Sequence, residues 1–572
     1  MFSLKWKTSE RKYDVVVDYN VRIRMSDGVE LDCDIFRPSG PGKFPAILGV
    51  HCYYKSWQSV PAMPIGITLR NGGIESGDPQ FFVRRGYAHI ILNVRGSGKS
   101  GGTYQNYGPR EVQDSYEAIE WIANQPWCDG NVGMWGVSYF ATAQKQVAAL
   151  NPPHLKAIWA PFGYTDFYRH KFYHGGILSH AFMRGWSKII ENCRAEPCTK
   201  LRMGEKDYKE AIKQALQDRD ICAVPYLVEA LQNPDAGANS MIVDILLNNL
   251  DGPYYQERNV KHENIKVPAY LGACWGIYGL HLPGSFQSWE ETTAPKKLVI
   301  GPRIYLDRPV FQYQYESLRW FDYWLKGMDT KIMDEAPVRV FVGGTGEWKE
   351  AVDWPLPETK WTPFYLHAGG LLSEHEHWPH EGATSFEDNS FNNRGHLKFA
   401  SPVMVEDTEV IGPIVLNLYA ATTDTEVLWF VSLCDIDPDG NEHLLTRGWL
   451  RGSQRKVDPQ KSTLWLPFHS HTDQEALTPG DVYEFNISVV PTGNLFKTGH
   501  RIGLKISCVD DESPANPLDM MAQGHLWRQS PSWVTVFHNS EYPSHLLLPI
   551  TKGNVIGTYI SGGSVPAKPW SF

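Results

Sequence analysis

Apolar residues follow two rhythms along this chain, and the change between them divides it. Residues 15–37 form two alternating stretches around Ser26-Asp27-Gly28, the pattern of strand, tight turn and strand. Short continuous apolar runs recur at 45–50, 88–94, 132–137, 155–161, 267–274 and 297–300, which with the hairpin predicts eight strands. Between the fourth and fifth, Val112, Tyr116, Ile119 and Ile122 recur at helical spacing with polar residues opposite. Strands alternating with helices specify a mostly parallel sheet with right-handed crossovers. From about 164 to 260 the pattern becomes helical without strands, at 205–217, 223–232 and 239–250. From 336 onwards the helical signal stops. The runs 338–342, 410–418, 427–433, 482–490 and 502–506, separated by Pro, Gly, Asp and Asn, are spaced like an all-β sandwich or jelly roll.

One serine stands where this pattern concentrates chemistry. In Gly133-Met134-Trp135-Gly136-Val137-Ser138-Tyr139-Phe140 an apolar strand ends, and residues 141–150 can carry a helix. Ser138 then sits on a strand-to-helix turn, its hydroxyl thrust out of the sheet and close to the free N–H groups of the helix start. Gly136 supplies the small residue that such an elbow needs before the serine. Phe140 occupies the place of the usual second glycine. A serine after the fifth of eight strands is the placement of an α/β-hydrolase. The predicted fold class is therefore α/β: a hydrolase domain of residues 1–163 and 256–335, a helical cap of 164–255, and a C-terminal all-β jelly-roll domain of 336–572.

Composition narrows the partners. A chain of 572 residues with 54 basic and 64 acidic side chains, net −10, offers neither nucleic acid nor an anionic membrane an electrostatic footprint, so a small-molecule substrate is expected. Whether the chain forms a homo-oligomer stays open. Nine cysteines without a C-x-x-C pair suit a reducing compartment. Residues 1–7 carry no apolar leader pattern and no run reaches membrane-span length, so the expected location is cytoplasmic.

The order of parts resembles the cocaine-esterase and X-Pro dipeptidyl-peptidase group of serine hydrolases. The likeness rests on Ser26-Asp27-Gly28-Val29, Asn93-Val94-Arg95-Gly96, the segment from Gln125-Pro126-Trp127 to Gly133-Met134, Asp435-Ile436-Asp437-Pro438-Asp439-Gly440, and Leu445-Thr446-Arg447-Gly448. It implies that Ser138 is the nucleophile, that the Tyr139 N–H is one oxyanion donor, and that the Tyr53 hydroxyl is the other. No cofactor or metal is implied. The usual acid and histidine do not carry over: the loop after the seventh strand reads Cys274-Trp275-Gly276-Ile277, and after the eighth strand Tyr305 stands where the histidine belongs. Exchanging their places makes His281 the base and Asp307 its orienter. The other reading makes His281 a loop histidine bonded to backbone and Asp307 the partner of Arg303 or Arg308. That would keep the oxyanion site and lose hydrolysis.

Three functions follow. The first is hydrolysis of an ester or amide through an acyl-enzyme on Ser138. The second is non-hydrolytic chemistry on the same fold, a lyase, C–C cleavage or cyclisation, with Tyr53 and Tyr305 moving protons. The third is a binding scaffold without catalysis. Other signals read as structure. Gly96-Ser97-Gly98-Lys99-Ser100 lacks the first glycine of a phosphate loop, and Asp435, Asp437 and Asp439 begin a hairpin turn rather than a calcium loop. The pairs His375/His377 and His469/His471 read as solvated loops. Tyr168, His170, Phe172, Tyr173, His174 and Gly175-Gly176 are candidates for a pocket entrance.

Overall fold

The computed structural model describes residues 5–55, 58, 75–303, 309–377, 380–389, 393–510 and 524–554. Strands β1 (Val15–Arg24) and β2 (Glu30–Pro38) form the expected hairpin, with Gly28 at φ +87° making its turn. They continue into β3 (Phe44–His51), β4 (Ala88–Asn93), β5 (Cys128–Trp135), β6 (Leu155–Trp159), β7 (Ala269–Cys274), β8 (Lys296–Gly301), β9 (Val338–Val342) and β10 (Glu347–Ala351). The sheet order is β1-β2-β4-β3-β5-β6-β7-β8-β9-β10, parallel from β4 through β9. Central strands are buried along their whole length, the mark of a parallel sheet covered on both faces.

Residues 338–342, expected to open the all-β region, extend this sheet instead. Leu298, Val299 and Ile300 pair with Val338, Arg339 and Val340. Apolar alternation marks a strand but says nothing about which edge it joins, and here β8 offers the partner.

Three helices position the chemistry: α1 (Pro109–Ala123), α2 (Tyr139–Ala148) and α3 (Leu282–Glu291). The buried face of α1 contains Ile119 and Ile122 as expected, with Ala118 beside them, but it also turns Glu111 and Asp114 inward and leaves Val112 and Tyr116, expected on that face, half-buried. Both acids are engaged. Asp114 receives two hydrogen bonds from Arg95 at 2.7 and 2.8 Å, and Glu111 receives the Tyr139 hydroxyl.

Between β6 and β7 lie helices Glu205–Ala215, Pro225–Gln232 and Asn239–Leu247, close to the expected positions. The segment also holds a π-helical turn, Tyr168–Phe172, and a two-stranded ribbon of Tyr173–His174 with Ile177–Leu178. Gly175 and Gly176 turn that ribbon at φ +55° and +87°, where a Cβ would come within 2.0 Å of the Trp449 carbonyl oxygen or 2.3 Å of Gln454 Oε1. Only glycine lets this hairpin press against the C-terminal domain.

Among its described residues that domain is a twelve-stranded sheet, part of which closes into a barrel because strand Thr408–Thr422 pairs with strand His545–Lys552. Its interior is filled by Phe364, Leu416, Trp429, Phe485, Ile506 and Val534. Phe430 and Trp449 face outward and join the core of the first unit. His469 and His471, expected to be solvated, are buried: His469 Nε2 contacts the Asn486 carbonyl at 2.7 Å and His471 Nδ1 contacts Gln454 Oε1 at 2.7 Å. Loop composition does not reveal that a loop is clamped between domains. Asp437 receives the Asp439 and Asn441 backbone N–H groups at 3.0 and 2.9 Å, a hairpin turn as expected.

Candidate active site

The turn between β5 and α2 forces Ser138 to φ 59° and ψ −115°, a backbone that non-glycine residues adopt only under strain. Its neighbours show why this sequence tolerates it. Gly136 lies at φ +129°, and a Cβ there would fall 2.6 Å from Phe140 Cβ. The Phe140 ring is accommodated because position 49 in β3 is also glycine: a Cβ at Gly49 would stand 2.9 Å from Phe140 Cε1. The ring then stacks on His51 at 5.0 Å. A glycine in the elbow turn and another on strand β3 therefore make room for the aromatic residue at the motif's second glycine place.

Ser138 Oγ lies 3.3 Å from His281 Nε2. His281 precedes α3, on the loop after β7, and its ring stacks parallel to Tyr164 at 6.0 Å. It is buried, and burial together with the charges of Lys145 and Lys171 pushes its pKa down to about 3. The imidazole is therefore neutral at physiological pH, with a lone pair available to the serine proton. Nδ1 is also buried and has no hydrogen-bond partner among the described residues. Tyr305 and Asp307 lie outside the described residues. Arg303 donates to the carbonyl oxygens of Leu444 and, at 3.1 Å, Leu445.

Of the two oxyanion candidates, Tyr139 follows the serine directly and Tyr53 packs against Tyr139. Tyr139 opens α2, so its N–H is one of the unsatisfied donors of that helix start. Its side chain is tied back, stacked on Tyr107 at 4.0 Å and bonded to Glu111. Tyr53 follows β3. Asn93 Nδ2 holds its carbonyl at 2.8 Å, and its ring meets Tyr139 edge-on at 5.9 Å. The Tyr53 hydroxyl accepts from Trp186 Nε1 at 3.5 Å, and burial raises its pKa well above the usual phenol value. A phenol held neutral can donate to a developing oxyanion.

The chamber contains a residue that sequence reasoning missed. Glu75 belongs to the connection between β3 and β4, and its carbonyl receives the Val137 N–H at 3.2 Å, next to the elbow. Its carboxyl is within the influence of both Ser138 and Tyr53, and burial pushes it up to about 8. The only sequence signal was an acidic residue among glycines, in a segment with no periodicity.

Two buried lysines complete the electrostatics. Lys145, on α2, donates to the Gly163 carbonyl at 3.0 Å, and burial alone lowers it to about 7. Lys171 Nζ lies 3.9 Å from the Trp186 ring centroid and 4.8 Å from that of Tyr164, and burial lowers it well below the ordinary lysine value. The candidate pocket entrance divides. Tyr168, Phe172 and Tyr173 are packed in the core, whereas His170, His174 and Gly175 line a cleft of about 480 Å³ at the seam with the barrel. Trp449, Phe468 and Glu290 share that cleft, and neither Ser138 nor His281 borders it.

Comparison with known proteins places this geometry. The family model described as X-Pro dipeptidyl-peptidase (S15 family) matches residues 27–304, and that of the X-Pro dipeptidyl-peptidase C-terminal non-catalytic domain matches 330–546. Cocaine esterase of Rhodococcus sp. (strain MB1 Bresler) is 27% identical over 596 residues, covering 93% of this chain and 98% of its own. A CocE/NonD family hydrolase from Staphylococcus aureus superposes with a TM-score of 0.77 at 27% identity, covering 94% of each chain. An α-amino acid ester hydrolase shares the fold, with a TM-score of 0.72 at 18% identity over 95% of this chain and 98% of that one. Among the described residues no helix is long and apolar enough to cross a membrane.

Proposed function

We propose, for a chain that belongs to the X-Pro dipeptidyl-peptidase and cocaine-esterase family of hydrolases, that it cleaves an ester or amide of a small molecule through an acyl-enzyme on Ser138. The observation that carries this reading is the 3.3 Å approach of Ser138 Oγ to His281 Nε2 at a strained elbow. In the proposed step Oγ attacks the carbonyl carbon while its proton passes to Nε2. The carbonyl oxygen gains negative charge and is held by the Tyr139 N–H and the Tyr53 hydroxyl. The tetrahedral species collapses as the imidazolium returns its proton to the leaving group, and water reverses the sequence to free the serine.

Asp307 is the proposed orienter of His281. Strands β7 and β8 are adjacent and parallel, with Gly301 opposite Cys274, so the chain leaves both at the same sheet edge. The segment between Tyr164 and Val260 is proposed as the substrate cap, and the barrel as a jelly-roll domain bracing it.

A fluorophosphonate probe is expected to label the native protein at Ser138 and to fail on Ser138→Ala. Labelling that persists in the variant would sink the proposal.

A further inference from the structure

Two acidic side chains stand together on β2. Asp32 and Asp34 flank Cys33, and alternate residues of a strand point to one face. Both are buried, Asp32 at 1% exposure and Asp34 at 3%. Two carboxylates this close and this deep are costly unless a cation meets them. Lys55, from the loop after β3, places Nζ 2.5 Å from Asp32 Oδ2 and 2.8 Å from Asp34 Oδ1, and it reaches Asn20 Oδ1 at 3.4 Å. Asp34 Oδ1 also receives the Asn20 N–H at 2.9 Å. Arg22 Nε approaches Asp32 Oδ1 at 3.9 Å, beyond hydrogen-bond distance, and that oxygen is buried without a hydrogen-bond partner among the described residues. The Lys55 ammonium is therefore the main counter-charge of both acids among the described residues.

The same lysine follows the proposed oxyanion donor by two residues. Because the sheet order is β2-β4-β3, the chain leaving β3 crosses the end of β4 to reach β2. It is held along the way. The Cys52 carbonyl receives Cys193 Sγ at 3.3 Å and Asn192 Nδ2 at 3.4 Å. Asn93, the last residue of β4 and the register partner of His51, donates Nδ2 to the Tyr53 carbonyl at 2.8 Å. Lys55 then ties the loop to β2. We propose that Lys55 is a positioning residue for Tyr53: by meeting Asp32 and Asp34 together it fixes the course of the loop after β3, and with it the Tyr53 hydroxyl. This inference rests on the hydrolase reading above.

Leverage makes the tether matter. The hydroxyl stands at the far end of the tyrosine side chain, so a small rotation of the loop backbone displaces it further than the backbone itself moves. A donor stabilises an oxyanion only at hydrogen-bond distance from the place where the charge develops. The contact of the hydroxyl with Trp186 is long, 3.5 Å, and Asn93 grips one carbonyl, which leaves the direction of the chain beyond it to Lys55. Lys55 makes no hydrogen bond or ion pair to Ser138 or His281 among the described residues, so its effect on the reaction passes through the loop.

The test is steady-state hydrolysis of p-nitrophenyl butyrate by the full chain near neutral pH. Lys55→Met is expected to lower kcat by about thirtyfold or more, with KM within about threefold of native. In a Tyr53→Phe background, which has no hydroxyl left to position, the same change is expected to lower kcat by less than about threefold. Losses that multiply in the double variant, or a kcat within about threefold of native in Lys55→Met, would each overturn the proposal. Lys55→Met leaves two buried carboxylates without their counter-charge, so a second variant adds Asp32→Asn and Asp34→Asn and removes the excess charge. It is expected to keep the native far-ultraviolet circular dichroism and to retain the loss of kcat. Recovery of native kcat there would make Lys55 a counter-charge rather than a tether, and a chain that folds with neither set of changes would make it a residue of overall stability; both results overturn the proposal. Ser138→Ala, measured beside these variants, separates the two readings. Turnover that survives it sinks the hydrolase mechanism, whereas turnover lost there and kept in Lys55→Met sinks the role of Lys55 alone.

Discussion

Replacing Lys145 by methionine tests the electrostatics behind the nucleophile. Lys145 is 1% exposed on α2 and its charge meets one carbonyl, that of Gly163 at 3.0 Å. Burial lowers the ammonium from 10.5 to about 7. Between those two values the unfolded chain binds a proton that the folded chain does not, so native stability rises with pH from about 7 to 10.5. At 1.36 kcal/mol per pKa unit, the cost of keeping this lysine buried at or below pH 7 is about 5 kcal/mol. Lys145→Met conserves length and apolar volume and gives up a hydrogen bond worth about 1 kcal/mol. The variant is therefore expected to be more stable than native by roughly 2–4 kcal/mol at pH 6, with the advantage vanishing towards pH 10.5. At about 2–4 °C per kcal/mol, thermal unfolding of the hydrolase unit should show a rise of at least several degrees at pH 6. Because the Lys145 charge depresses His281, the same variant should shift the acidic limb of fluorophosphonate labelling to higher pH. Equal melting differences at pH 6 and pH 10 would refute the assignment of Lys145 as a buried, pH-dependent cost.

Tyr53→Phe removes one oxyanion donor while keeping the ring, and is expected to lower kcat by about a hundred- to a thousandfold with KM little changed, measured by steady-state ester hydrolysis. A loss confined to KM would contradict the donor role. Ser138→Gly removes both the nucleophile and a side chain held at φ 59°, where strain is of order 1–3 kcal/mol. It is expected to abolish labelling and to raise the melting temperature, the net gain being about 1 kcal/mol after the added backbone freedom of glycine. A lower melting temperature would show that the elbow is relaxed.

How much of this was legible in the chain depends on how far apart the cooperating residues lie. The hairpin, the buried parallel strands and the strand-to-helix turn at Ser138 are local patterns of backbone geometry and burial, and the sheet contains them where the periodicity put them. His281 was reached by exchanging the places of the usual acid and histidine, beside a reading that made it a loop histidine, and the structure brings its Nε2 to Ser138. The face of α1 was misjudged for a physical reason: Glu111 and Asp114 turn inward because Tyr139 and Arg95 await them, and no periodicity of apolar residues encodes a paired acid. Strand β9 was recognisable as a strand, but its sheet was decided by the free edge of β8, and β10, which the pattern did not show, pairs onto β9.

By itself the sequence determined the order of elements, the change from mixed to all-β structure, and the one serine placed on an elbow, because each depends on neighbours a few residues apart. The tertiary structure alone decided what surrounds that serine. Phe140 fits the elbow only because Gly49, on another strand, leaves room for its ring. Glu75, Tyr53, Lys145 and Lys171 have their pKa values shifted chiefly by burial, and burial exists only once distant segments have packed together.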